Sequence, residues 1–131
     1  MALLFYLKGS ETGDLDTDIT VHPFEPCPDS PNCIVVSKQF AISKKNLFSF
    51  VLQSIDEMKP HQSEADSQSL QIKAVFRIPV FFFKDDLKVV ITEEKGTSVL
   101  HVKSSSRIGH GDLGVNRRRV QKLLSLIIQK F

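Results

Sequence analysis

The sequence predicts an α+β fold: a helix, a three-stranded antiparallel meander and a C-terminal helix, preceded by an extended proline-rich arm. Two observations carry this. Apolar residues recur at three-four spacing in two segments, 44–58 and 116–131, which is the mark of a helix with one buried face. Between them, three runs alternate apolar and polar residues, the period of a half-buried strand.

The arm comes first. "HPFEPCPDSPNC", residues 22–33, holds Pro23, Pro26, Pro28 and Pro31. Each proline fixes its own φ and turns the preceding residue away from the helical region. The segment is therefore stiff, extended and turning, and the following "CIVVS" is expected to pair only briefly. Ser43 is placed to cap a helix over Lys44–Met58, whose buried face is Leu47, Phe48, Val51, Leu52, Ile55 and Met58. Lys59 and Pro60 end it. "HQSEADSQS" reads as a polar loop. Strands follow over Leu70–Ile78, Asp86–Thr92 and Thr97–Ser105, with "EEKG" as a tight turn between the last two. Short connections make them an antiparallel meander. The last helix begins near Asn116, a good N-cap residue, with Asp112 as the alternative cap. Its buried face is Val120, Leu123, Leu124, Ile127, Ile128 and Phe131.

The chain has 131 residues, of which 41% are hydrophobic and 24% charged. That is the composition of one globular domain, expected over residues 22–131, with residues 1–21 as leader and linker. The net charge of +2 is unevenly spread. Residues 1–25 carry Lys8 against Glu11, Asp14, Asp16, Asp18 and Glu25, a net −4, which leaves +6 for the rest. A basic body suits an anionic partner, although the bias is small for a nucleic-acid binder. No apolar run reaches the length of a membrane span. The apolar start Ala2–Leu7 reads either as a first strand or as the tail of a membrane or signal segment. The acidic run Glu11–Asp18 suits a linker between an anchor and a soluble domain.

Cys27 and Cys33 are the only cysteines. A bend between them brings the pair within disulfide reach, and this is the preferred reading over free thiols and over a redox or metal pair. Zinc sites favour closer spacing and four ligands, and His22, His61, His101 and His110 are scattered. Nothing here calls for a metal or another cofactor. A disulfide implies an oxidising compartment.

"PCPDSPNC" at 26–33 and "SSSRIGHGDLGVNRRRV" at 104–120 together resemble the two signature blocks of the family called domain of unknown function 1499. "FFFKDDLKV" at 81–89 resembles a third, weaker block. The likeness runs from about Pro26 to the end. Ile34, Val35 and Val36 depart from it, because small hydroxyl residues usually follow the second cysteine in the family. The resemblance implies no reaction. It does imply a setting, since such proteins often carry an N-terminal hydrophobic or export segment. The expected place is therefore outside the cytoplasm, periplasmic or envelope-associated, with a membrane tether in the full-length protein.

The block at 104–120 admits three readings. Gly109, Gly111 and Gly114 lead into a helix N-terminus, and Arg107, Arg117, Arg118 and Arg119 add cations, which together suit an anion. The candidate ligand-binding set is Arg107, His110, Asp112, Asn116, Arg117, Arg118 and Arg119, with an anionic small molecule or protein as partner. A structural reading uses the same residues: an arginine pairs with Asp85 or Asp86, and Arg117, beside the apolar stripe, is the one expected to turn inward. The third reading is a hydrolase using Ser104, Ser105 or Ser106 with His110 and Asp112. It has no nucleophile elbow behind it, so no catalytic residue is assigned. Nucleic acid is disfavoured because no stacking aromatic interleaves the arginines. Phe81, Phe82 and Phe83 are consecutive, so at least one should face away from the sheet–helix core; covered by the N-terminal arm it is simply core, the preferred reading, and exposed it marks a lipid, apolar-ligand or partner surface. Non-catalytic binding of an anion leads; the hydrolase and a structural module of an envelope assembly are the rivals.

Overall fold

The alternating strands bury one face and the two helices cover it. The computed structural model describes residues 21–28, 32–78, 83–108 and 114–131. Expectations that fall on residues 1–20, on Phe81 and Phe82, and on His110 and Asp112 lie outside the described residues.

The elements in chain order are β1 (Cys33–Phe40), α1 (Lys44–Glu57), β2 (Gln62–Asp66), β3 (Gln71–Ile78), β4 (Phe83–Glu94), β5 (Thr97–Ser106) and α2 (Val115–Ile128). The strands form one sheet in the order β1-β5-β4-β3-β2, with every neighbouring pair antiparallel. Ile72 and Ala74 of β3, Leu87, Val89 and Ile91 of β4, Leu100 and Val102 of β5 and Val36 of β1 make the inner face. Leu47, Phe48, Val51 and Ile55 of α1 and Val120, Leu123, Leu124 and Ile127 of α2 complete the same core. No helix among the described residues is long and apolar enough to cross a membrane.

The α+β class holds, but the three-stranded meander is corrected to five strands. β1 spans eight residues and pairs with β5 along its whole length, from Cys33 opposite Ser105 to Phe40 opposite Ser98. Lys38 hid it: it falls on the inner face opposite Leu100 and breaks the apolar alternation. At this sheet edge its aliphatic stem can lie along apolar surface while the amine reaches water. β2 was hidden for the opposite reason. All five of its residues are exposed, so it has no apolar period, and its backbone pairing with β3 alone defines it. Its charges, Glu64 and Asp66, suit an edge strand that must not recruit another chain.

Local chemistry sets the turns. Ser43 Oγ accepts from the Asn46 N–H at 3.1 Å and caps α1 as expected. Lys95 and Gly96 both have positive φ, the type I′ pattern that suits the twist of a two-residue hairpin between β4 and β5. Cys27 and Cys33 form a disulfide, with Cα atoms 5.6 Å apart, and tie the proline-rich arm to the start of β1.

Candidate functional site

The block at 104–120 is a strand end, a turn and a helix entrance, and a hydrogen-bonded cluster joins them. Ser104 and Ser106 lie on the inner face of β5, and Asn116 and Arg119 lie one turn apart on α2. Ser104 Oγ donates to Asn116 Oδ1 at 2.5 Å, and Arg119 Nη1 donates to the same oxygen at 2.8 Å. Asn116 Nδ2 donates to the Asn32 carbonyl at 3.2 Å and to Ser106 Oγ at 2.9 Å. Asn116 is 1% exposed. It is not the N-cap that its residue type predicts. Gly114 takes that position with φ of 78° and no side-chain cap. The amide of Asn116 instead ties together β5, α2 and the segment entering β1.

Arg119 is the arginine that turns inward, which corrects the expectation for Arg117. The two residues flank the buried stripe of α2 at nearly equal angles, so helical periodicity alone does not choose between them. The sheet breaks the tie. Arg119 Nη2 lies 2.8 Å from Asp85 Oδ2, its Nη1 donates to Ser104 Oγ at 3.2 Å, and its guanidinium carbon stands 4.8 Å from the Phe76 ring centroid. Arg117 is exposed. Asp85 is fully buried, and neither of its oxygens has an aligned hydrogen bond. Its contact with Arg119 is thus a close charge pair, not a well-directed bond.

Arg107 pairs with the other carboxylate. Its Nε and Nη2 donate to Asp86 Oδ2 and Oδ1 at 3.0 and 2.9 Å. That hydrogen-bonded carboxylate raises its pKa above the ordinary arginine value. Arg118 is exposed, and its guanidinium lies where a side chain at Gly114 would have to stand. Of the candidate set, Arg119 and Asn116 are therefore in the structural cluster, Arg107 is at a surface ion pair, and Arg117 and Arg118 are exposed on the first turn of α2.

The outer face of the sheet holds a pattern that emerges only with register. Lys73, Lys88 and Lys103 stand directly opposite one another on β3, β4 and β5. Two rows further along the strands, Arg77 faces Lys84, and the Arg107 N–H bonds the Lys84 carbonyl at 3.0 Å. Between these rows lie Val75, Asp86 and Ser105. Across the three rows on β3–β5, Asp86 is the single carboxylate. An open concavity of about 540 Å³ sits here, lined among others by Lys73, Val75, Asp86, Lys88, Arg107 and, from β2, Glu64.

The β1–β5 half of the same face carries the arm. Lys103 Nζ donates to the Glu25 carbonyl at 2.7 Å. Here His101, 4% exposed, bonds Ser37 Oγ through Nδ1 at 2.8 Å and Thr92 Oγ1 through Nε2 at 2.9 Å. A hydroxyl donates or accepts, so the pair satisfies either neutral tautomer. Burial lowers the His101 pKa below its ordinary value, His22 lowers it further, and Glu94 opposes them. The unfolded chain, with a histidine pKa near ~6.5, then takes up a proton before the folded one does. Stability is unaffected well above that pH and falls as pH drops through it toward the folded value. Urea midpoints at pH 7.5 and 5 are expected to differ less for His101→Gln than for the unaltered chain. Equal pH dependence in both would refute the assignment.

A family model for proteins of unknown function (DUF1499) matches residues 24–127. The chain belongs to the DUF1499 family. No curated protein matches it. Among solved structures, TTHA0849 from Thermus thermophilus is similar at 8% identity, with a TM-score of 0.52 over 75% of this chain and 95% of that one. At that identity the likeness concerns the fold alone. In this DUF1499 chain the matched span holds the disulfide's two cysteines, the Asn116–Arg119 cluster and both cationic rows. Sequence reasoning missed the rows. Each strand showed a polar face with lysine or arginine on it, but only strand register reveals that the cations stand abreast.

Proposed function

We propose that this domain is a non-catalytic binding module for an anionic ligand, held on the open half of the outer sheet face. The observation that carries the proposal is the pair Lys73 and Lys88, directly opposite one another and lining the concavity with Arg107. Like charges directly opposite one another on neighbouring strands are unfavourable. The Lys73 and Lys88 side chains make no hydrogen bond or ion pair among the described residues, although Glu64 of β2 stands opposite Lys73. An anion bridging them relieves the repulsion, and Arg107 at the rim, though shared with Asp86, offers further donors. This moves the binding site away from the helix entrance, where Asn116 and Arg119 serve the fold. For the hydrolase reading, Ser104 and Ser106 are poor nucleophiles, because their hydroxyls are bonded to Asn116.

The test is a thermal titration with sodium phosphate against sodium chloride at equal ionic strength. Phosphate is expected to raise the melting temperature more than chloride does. Lys73→Gln/Lys88→Gln should abolish that difference while raising the melting temperature in chloride. Equal shifts by the two salts would reject the proposal.

An extracytoplasmic location for the protein is part of the same proposal. The Cys27–Cys33 disulfide supports it, since such bonds persist in oxidising compartments. Alkylation of unreduced protein from its native source should leave both cysteines unlabelled; two labelled thiols would count against that location.

A further inference from the structure

The concavity on the outer sheet face is not uniformly cationic, and its mixed lining constrains the ligand. Strand register sets its floor as two rows of three across β2, β3 and β4. One row is Glu64, Lys73 and Lys88; the next, two residues along each strand, is Gln62, Val75 and Asp86. All six line the concavity. Glu64 stands directly opposite Lys73, at a cross-strand Cβ spacing of about 4.5–5.5 Å that suits an ion pair. Yet neither side chain makes a hydrogen bond or ion pair among the described residues. Asp86 accepts from Arg107 through both oxygens, and each oxygen keeps a further lone pair. Val75, half-buried, is the apolar member.

We infer that the concavity takes a hydroxylated phosphate of the sugar-phosphate kind. The phosphate lies between Lys73 and Lys88, and the hydroxyls donate to Glu64 and Asp86. This rests on the anion reading above and names its ligand class. The first argument is size. A volume of about 540 Å³ falls within the ~300–1,000 Å³ of small-molecule sites and is more room than a single phosphate fills. The second is span. Neighbouring strands lie about 4.8 Å apart, so Glu64 and Lys88 stand about 10 Å from one another across the row, the reach of a carbon skeleton and not of one ion. The third is the order of charges. A carboxylate beside the lysines repels a second anionic group but accepts strongly from a hydroxyl. Gln62 offers a donor and an acceptor, and Val75 between Gln62 and Asp86 gives the C–H face of such a skeleton an apolar surface.

The experiment is calorimetric titration of the 131-residue chain with glucose 6-phosphate, inorganic phosphate, pyrophosphate and phosphoethanolamine at one ionic strength. Glucose 6-phosphate is expected to bind about tenfold more tightly than phosphate, the effect of one hydrogen bond to a charged acceptor. Glu64→Ala should remove most of that preference, while phosphate itself binds as well as before or better, because a repelling carboxylate is gone. Glu64 is exposed on β2, and the retained phosphate binding separates a lost contact from a lost fold. An unchanged preference in Glu64→Ala would overturn the inference. Tighter binding of pyrophosphate than of glucose 6-phosphate would make this a site for dense charge, and tighter binding of phosphoethanolamine a site for a zwitterion; either overturns it too. Equal binding of phosphate and glucose 6-phosphate would overturn it and leave the anion reading standing, whereas binding of neither removes both.

Discussion

Arg119→Ala is expected to destabilise the fold by about 3–5 kcal/mol, the usual cost of removing one partner from a buried ion pair. Asp85 is fully buried and no other hydrogen-bond donor reaches it among the described residues. Without Arg119, the carboxylate is left buried with no opposite charge beside it. The variant also loses the donors to Ser104 and Asn116 and the cation over Phe76. Arg119→Lys should recover only part of the loss, because one ammonium cannot reproduce the planar fork that meets three partners at once. Asp85→Leu/Arg119→Met removes both charges, and its cost is expected to be well below that of Arg119→Ala alone. Urea denaturation of the three variants gives the comparison. A loss under about 1 kcal/mol for Arg119→Ala, the range of exposed pairs, would mean that the pair behaves as a surface contact.

This pair also shows where sequence reasoning stops. The expectation that an arginine of the block meets Asp85 or Asp86 was met twice, by Arg119 and by Arg107. The choice between Arg117 and Arg119 was not legible, because both lie beside the same apolar stripe. It depends on which side of α2 faces Phe76 and Asp85, a tertiary fact. The two helices and the β3–β5 meander were legible because each buries a full apolar period. β2 was not, since a wholly exposed edge strand leaves no period to read, and β1 was shortened because Lys38 interrupts one. The cationic rows needed register, which short polar faces do not specify. Asn116 misled for a different reason. Residue type alone made it a good cap, but its side chain had more partners available in the interior than at the helix end.

Asn116→Ser separates those two roles. Serine is as good an N-cap as asparagine, so a capping role predicts almost no change in stability. The cluster predicts a loss. Serine's hydroxyl is too short to span the contacts of the Asn116 amide with Ser104, Arg119, Asn32 and Ser106. A buried group left unsatisfied costs about 1–3 kcal/mol. The Asn32 carbonyl keeps the Ser106 N–H at 3.0 Å, and Ser104 keeps Arg119, so not every contact is orphaned. The expected loss is therefore about 2–3 kcal/mol. Combined with Arg119→Ala it should be smaller than the sum of the two single losses, because the residues share a hydrogen bond and both hold Ser104. Full additivity in that double-mutant cycle would mean that Asn116 and Arg119 act separately. The strand-to-helix turn would then be held by two independent contacts, and the shared oxygen of Asn116 would contribute nothing to their coupling.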